Sequence, residues 1–112
     1  MGGTESRTGT ALHVARPVIF TPQARAELID AQDWYENEAS GLGRRFLAAI
    51  GVAVDRMSAN PLQFPIVHKT VRRALLRHFP YALMFVIEPD GALTVIACFH
   101  GSRDPVQWQG RR

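Results

Sequence analysis

The sequence predicts an α+β domain in which an N-terminal strand and an antiparallel helical hairpin pack on a C-terminal three-stranded antiparallel sheet. At 112 residues, the chain has the length of one domain. Its composition, 46% hydrophobic and 21% charged, supplies enough apolar side chains for a core and excludes wholesale disorder. The spacing of apolar residues is helical before Pro65 and changes to strand-length runs after it.

The predicted domain covers residues 17–112. Residues 1–16 are rich in Gly, Thr, Ser and Arg without a hydrophobic period, so we expect a flexible tail there. Residues 17–20 predict a short strand, with proline at its first position, where the missing N–H costs least. Thr21 and Pro22 are typical of a helix start, as N-cap and first helical residue.

Two amphipathic helices follow this strand. From Pro22 to about Ala39, apolar residues recur at intervals of three and four on one face, with most carboxylates on the other. Gly41 and Gly43 interrupt the pattern, and a second helical pattern then runs to residues 60 and 61, an Asn-Pro pair. Because the link between the helices is short and contains glycine, an antiparallel hairpin is expected.

Three strand-length runs complete the domain, at residues 71–78, 81–87 and 93–100. Residues 88–91 are good turn formers, so the last two runs should pair as a hairpin and the element order becomes βααβββ. Both of these runs are apolar on both faces, whereas the helices can cover only one. We therefore expect a cover on the second face, preferably another chain, or else curling of the sheet or folding of the tail over it.

The composition also limits the class of protein. No apolar run approaches the ~20 residues of a membrane span, and the N-terminus has no apolar region typical of a secretory signal. Cys98 is the only cysteine, which excludes an internal disulfide and favours the cytoplasm. No His, Cys or carboxylate set has metal-ligand spacing, and no phosphate-binding glycine motif is present, so neither a metal nor a cofactor is expected.

The charges are segregated along the chain. Residues 22–40 hold five carboxylates and one arginine, whereas residues 61–112 hold seven basic and three acidic residues. Twelve of the 13 basic residues are arginine, whose planar fork suits phosphate and carboxylate groups. An anionic partner is therefore expected for the second half of the chain.

Basic residues cluster at one end of the predicted sheet. Alternation along the first C-terminal strand places Arg73 and Arg77 on one face and Arg72 and His78 on the other. Such a cluster can bind phosphate or single-stranded RNA, and a histidine can transfer protons in RNA cleavage. The alternatives are solvated arginines, pairing with the acidic helix, and a purely structural histidine. The candidate target-binding residues are Arg72, Arg73, Arg77, His100, Arg103 and Trp108.

Seven short segments are weak signals one by one, but their order and spacing are specific when they are taken together. They are residues 20–24 (FTPQA) with Glu27 and Leu28; Ala31 with Trp34 and Tyr35; residues 41–43 (GLG) with Arg45 and Phe46; Asn60 and Pro61 with Phe64 and Pro65; Arg72 and Arg73 with Leu75 and Leu76; residues 79–81 (FPY); and Phe99 and His100 with residues 103–105 (RDP) and Trp108.

Together these segments resemble the ParE/RelE superfamily of type II toxin–antitoxin toxins, closest to its ParE-like, plasmid stabilisation branch. The resemblance spans residues 17–112 and implies the same strand, helical hairpin and sheet. It also implies a cognate antitoxin, encoded by an adjacent gene, whose C-terminal segment wraps the toxin. RelE-like members cut mRNA in the ribosome, and ParE-like members are described as inhibitors of DNA gyrase.

This chain departs from the RelE pattern at two positions. RelE-type nucleases carry an arginine directly after the tyrosine that opens the second C-terminal strand, and often a tyrosine near the C-terminus. Here Ala82 follows Tyr81, and no tyrosine follows residue 81, although Arg73 keeps a matching basic position. The resemblance therefore favours a non-enzymatic gyrase inhibitor acting through the basic sheet end and residues 103–112. The alternatives are a ribosome-dependent mRNA endonuclease, or a non-toxic nucleic-acid-binding module. The nuclease would use Arg73, Arg77, His100 and Arg103.

Overall fold

A computed structural model describes residues 15–112, so residues 1–14 of the expected tail lie outside the described residues. The helices and strands follow the predicted order, with two short elements added. In chain order they are β1 (Val18–Phe20), α1 (Pro22–Glu38), α2 (Leu42–Ala59), a 3-10 turn (Pro61–Gln63), β2 (Ile66–His68), β3 (Val71–Leu75), β4 (Tyr81–Ile87), β5 (Leu93–His100) and α3 (Val106–Gln109).

Helix α1 begins as its sequence predicts. The Thr21 hydroxyl accepts a hydrogen bond from the Ala24 N–H at 3.1 Å, and Pro22 occupies the first turn, where it needs no N–H partner. Ala24, Ala31 and Tyr35 are buried along one face of the helix. The predicted N-cap and apolar face are therefore confirmed.

The link between the two helices is held by a carboxylate of α1. Gly41 has φ +87°, a left-handed conformation that favours glycine. The Glu36 carboxylate accepts hydrogen bonds from the N–H groups of Gly41 and Gly43, at 3.0 and 2.9 Å. These backbone bonds lower the pKa of Glu36. The end of α1 thus satisfies the N-terminus of α2, and the predicted antiparallel hairpin is fixed locally.

The sheet has five strands in the order β1-β5-β4-β3-β2. The predicted antiparallel strands β3, β4 and β5 form its centre, and the predicted strand β1 joins parallel to β5, so the sheet is mixed. Strand β2, which was not predicted, pairs with β3 at the other edge. The α+β fold class is confirmed.

The first predicted C-terminal strand is shorter than expected. Strand β3 ends at Leu75. The Leu76 N–H still bonds Tyr81 O in the β3–β4 register, but His78 has φ +67°, a left-handed conformation that a strand cannot continue through. The predicted placement of Arg77 and His78 on alternating strand faces is therefore wrong, since both residues lie in the β3–β4 connection.

The second face of the sheet is partly covered within the chain. Its buried residues form a cluster apart from the helix-facing core: Val71, Ala82, Met84, Val86, Ile96, Ala97, Phe99 and Trp108. Trp108, on α3, is 3% exposed, and its ring lies 6.3 Å from that of Phe99 and 5.8 Å from that of His68. The C-terminal segment therefore covers part of this face, which is the folding of the tail that the sequence offered as an alternative, and cover of the rest by another chain stays a prediction.

Two ion pairs fasten this segment. Arg111 donates to both Glu27 carboxylate oxygens, at 3.0 and 2.8 Å, and to Ile96 O at 2.7 Å. The Cys98 N–H donates to the same carboxylate at 3.1 Å, and Arg112 pairs with Glu88. The Glu27–Arg111 pair thereby supplies hydrogen-bond partners for backbone groups on the part of the β5 edge that extends beyond β1. None of the helices in residues 15–112 is both long and apolar enough to cross a membrane.

Candidate functional groove

A groove of about 720 Å³ lies on the sheet face away from α1 and α2, and we call it the sheet groove. Ala82, Met84 and Phe99 form an apolar floor from β4 and β5. The residues after β5 close one side, and Leu75 at the end of β3 closes the other. The rim and wall hold four of the candidate site residues: Arg73, His100, Arg103 and Trp108.

Arg73 reaches the sheet groove from the exposed side of β3. It stands opposite Met84 in the β3–β4 register, which places its side chain on the face away from the helices. Its backbone N–H donates to Pro65 O at 3.1 Å, so the strand is held while the guanidinium stays exposed. This geometry presents a cation to solvent from a rigid support.

His100 is held by its neighbours at the end of β5. Its Nδ1 accepts a hydrogen bond from the Ser102 N–H at 3.0 Å, and the Ser102 hydroxyl lies 2.8 Å from the same nitrogen. Because Nδ1 accepts a backbone bond, the neutral ring carries its proton on Nε2. The ring also makes an edge contact with Tyr81, with centroids 5.1 Å apart.

Tyr81 and Arg103 lie beside His100 at this end of the sheet. Burial raises the pKa of the Tyr81 hydroxyl, and the charge of Arg103 partly opposes the rise. Arg103 is exposed and also lines a second groove of about 630 Å³ between α1 and β5, where Asp30 and Trp34 face it. Arg103 therefore stands between an acidic helix and the sheet groove.

The other candidate residues have different surroundings. Arg72 points to the helix side and donates to Phe64 O at 2.7 Å, so it supports the chain between the 3-10 turn and β2. Trp108 is buried, and its Nε1 has no hydrogen-bond partner among the described residues. Arg77 lines a separate groove beside α2. Of the six candidates, only Arg73, His100 and Arg103 lie on the accessible rim.

Two groove residues were not selected from the sequence. Leu75 is 59% exposed and walls the groove, and Ser102 orients His100. Leu75 could have been selected from the sequence, because it is an apolar residue on the face of the predicted strand that points away from the helices. Among the residues that the structure describes, no group of three or more His, Cys, Asp or Glu side chains is arranged to hold a metal ion.

The side chains that line the sheet groove are suited to binding a partner. Two guanidinium groups and an imidazole border an apolar floor, and no carboxylate occurs among the described residues that line it. Such a surface suits an anionic partner that also presents apolar groups. Ala82, buried at 3% exposure in the floor, adds no charge there.

The comparisons agree with this architecture. A family model described as ParE toxin of type II toxin-antitoxin system, parDE, matches residues 18–105, from β1 to the loop that carries Arg103. The chain belongs to the ParE toxin family. As a ParE-family chain it is thus of the type II toxin–antitoxin toxin class, as the sequence resemblance indicated.

Two solved structures share the ParE-family fold of this chain. One is the chromosomal ParDE toxin–antitoxin system from P. aeruginosa, with TM-score 0.64 and 18% identity over 77% of this chain and 96% of that one. The other is the toxin–antitoxin complex RelBE2 from Mycobacterium tuberculosis, with TM-score 0.53 and 22% identity over 78% and 99%. A search among curated proteins gave no match.

Proposed function

We propose that this ParE-family chain is the toxin of a type II module, that a cognate antitoxin encoded by an adjacent gene neutralises it, and that it acts in the cytoplasm by binding and inhibiting DNA gyrase. The sheet groove is the proposed target-binding surface. The observation that supports this proposal is the pair of exposed arginines, Arg73 and Arg103, over an apolar floor that no carboxylate lines in the described part of the chain.

The C-terminal arginines take a smaller part in this proposal than the sequence implied. Arg111 and Arg112 already pair with Glu27 and Glu88 inside the molecule. A partner that recruited either arginine would have to replace an existing ion pair, whereas Arg73 and Arg103 are exposed. We therefore assign target binding to the groove rim and a structural function to the end of the chain.

A second candidate function is a ribosome-dependent mRNA endonuclease. One observation favours it: His100 lines the same groove as Arg73 and Arg103, so a proton-transfer group stands near two cations. Two others oppose it. Arg77 lies outside the groove, and the position after Tyr81 is the buried Ala82. The remaining alternative, a non-toxic nucleic-acid-binding module, is retained as an outcome of the test.

Gyrase supercoiling assays with purified protein test the proposal. Arg73→Ala and Arg103→Ala should each weaken inhibition about tenfold or more, because each removes a charged hydrogen-bond donor from the rim. Arg25→Ala, an equal charge change on the exposed side of α1, should leave inhibition unchanged. RNA breaks in a translation extract, lost in His100→Ala, would instead establish the nuclease. Neither effect, together with no growth arrest on induction, would leave only the binding module.

A further inference from the structure

The second groove, of about 630 Å³, lies between α1 and β5, and we call it the α1–β5 groove. Ala31 of α1 and Cys98 and Phe99 of β5 supply apolar parts of its lining, and polar side chains stand around them. The proposed target contact leaves the α1 side of this groove unused. A concave site of this size with a few convergent polar groups is typical of small-molecule binding.

Two tyrosine hydroxyls line the α1–β5 groove without a partner. Tyr35 is only 9% exposed, yet neither its hydroxyl nor that of Tyr81 forms a hydrogen bond within the described part of the chain. Burial raises the pKa of both hydroxyls, so both stay protonated at neutral pH and can donate. A buried hydroxyl that no protein group satisfies is available to a ligand.

The end of the groove beside His100 is rich in hydrogen-bond donors. The proton on His100 Nε2 has no acceptor among residues 15–112, and Arg103 forms no ion pair there. The charge of Arg103 acts on the pKa of the Tyr81 hydroxyl, so these two groups are neighbours. A guanidinium, an imidazole N–H and a phenol hydroxyl at one end of a groove suit a phosphate group.

The α1 wall presents a carboxylate and an indole. Asp30 and Trp34 are four residues apart, so they are neighbours on one face of the helix. Trp34 is 56% exposed and touches the Tyr35 ring in an edge arrangement, with centroids 5.1 Å apart. Of the two lining carboxylates, Glu27 is paired with Arg111, whereas Asp30 has no ion pair in the described residues. An open indole beside a free carboxylate suits a flat ring that carries N–H donors.

We infer that the α1–β5 groove binds a guanine nucleotide, either free or at the end of an RNA strand. Guanine is the nucleobase that presents two adjacent donors, N1–H and N2–H2, to one carboxylate. The base stacks on Trp34 and donates to Asp30, and the phosphate accepts from Arg103 and His100. This inference goes beyond the proposed function. Because Arg103 also lines the sheet groove, a bound phosphate withdraws this arginine from the target-binding rim.

Titration of the full-length chain with guanosine 5′-monophosphate (GMP) tests the base contacts. Trp34 is exposed and Trp108 is buried, so GMP should quench tryptophan fluorescence, and Trp34→Phe should remove this change. By calorimetry, GMP should bind about tenfold or more tightly than the adenosine nucleotide, and Asp30→Asn should abolish the preference. Asp33→Asn makes the same charge change on an exposed site of α1 outside the groove and should retain it.

The phosphate contact has its own test. Arg103→Ala should weaken GMP binding about tenfold or more but change guanosine binding less than about twofold, and Arg25→Ala should alter neither. Tighter binding of a tetraribonucleotide ending in guanosine 3′-phosphate than of GMP would assign the site to an RNA end, and the reverse to a free nucleotide. Circular dichroism checks that each variant is folded. Equal binding of the guanosine and adenosine nucleotides, or no saturable binding, would overturn the inference and leave the toxin proposal intact.

Discussion

At the scale of single residues, the Glu27 carboxylate connects α1, β5 and the end of the chain. It accepts from the Arg111 guanidinium and from the Cys98 N–H. Burial, with the nearby Glu27 charge as a second cause, raises the pKa of the Cys98 thiol to about 12. The thiol therefore stays protonated at neutral pH, and this cysteine is a core residue rather than a nucleophile.

Removing Arg111 should cost stability. Arg111→Ala leaves Ile96 O and part of the Glu27 carboxylate without a donor, so we expect the free energy of unfolding to fall by about 1.5–3 kcal/mol. Urea denaturation of the purified protein measures this change. Arg112→Ala is the control, because its pair with Glu88 is more exposed and should contribute about 0–1 kcal/mol. Equal losses in the two variants would contradict the role of Arg111 at the sheet edge.

The pKa of Glu36 predicts a pH dependence. Hydrogen bonds from Gly41 and Gly43 lower this pKa below its usual value of 4.5. The unfolded chain then takes up the proton first, so the carboxylate stabilises the fold above about pH 4.5 and loses that contribution as the pH falls through the folded-state pKa. In Glu36→Gln, the urea midpoint should decrease less steeply over this acid range than in wild type. A wild-type slope in Glu36→Gln would contradict the stabilising role of this carboxylate at the link between the helices.

At the scale of secondary structure elements, those with strong local signals were predictable. The cap at Thr21, the proline at 22 and the helical spacing fixed the start of α1, and the glycines fixed the hairpin. Strand β2 has only three residues, and its pairing with β3 depends on a contact across a turn rather than on its own composition. The left-handed His78 ended β3 early, and alternation therefore misplaced Arg77.

The two glycines of α2 should respond to alanine in opposite directions. A Cβ on Gly43 would lie 2.9 Å from Gln32 O of the facing helix, so Gly43→Ala should lower the free energy of unfolding by about 1–3 kcal/mol. A Cβ on Gly51 meets nothing within 4 Å, so Gly51→Ala should raise it by about 0.5–1 kcal/mol. Thermal or urea unfolding gives both values. Destabilisation by Gly51→Ala would contradict the open space around this position.

At the scale of the whole molecule, contacts between distant parts of the sequence were not predictable. The Glu27–Arg111 pair joins residues 84 apart, and nothing in the local sequence marks either side chain as a partner. The same holds for the cover of the second sheet face, which the sequence showed to be needed but could not assign to Trp108. By contrast, the sequence did group Arg73, His100 and Arg103, and the three residues line one groove, although β4 separates β3 from β5 and Arg73 lies in the middle of β3. Their function in target binding stays a prediction.

The positions of the charges on the surface also become clear only at the scale of the whole molecule. The excess of arginine is divided between two exposed cationic surfaces, the rim of the sheet groove and the groove beside α2, whereas the C-terminal arginines are already paired with Glu27 and Glu88. The sequence shows the excess of arginine but not how the arginines are divided between surfaces.

The parallel pairing of β1 with β5 constrains the order of assembly during protein synthesis. Val18 pairs with Leu93, so the first strand has no neighbour in the sheet until the fifth has left the ribosome. The helical hairpin emerges earlier with its apolar side uncovered, and closure must bring together residues distant in sequence, which is a slow step. A nascent chain halted before β5 would therefore lack a completed sheet and, with it, any harmful activity that the sheet supports.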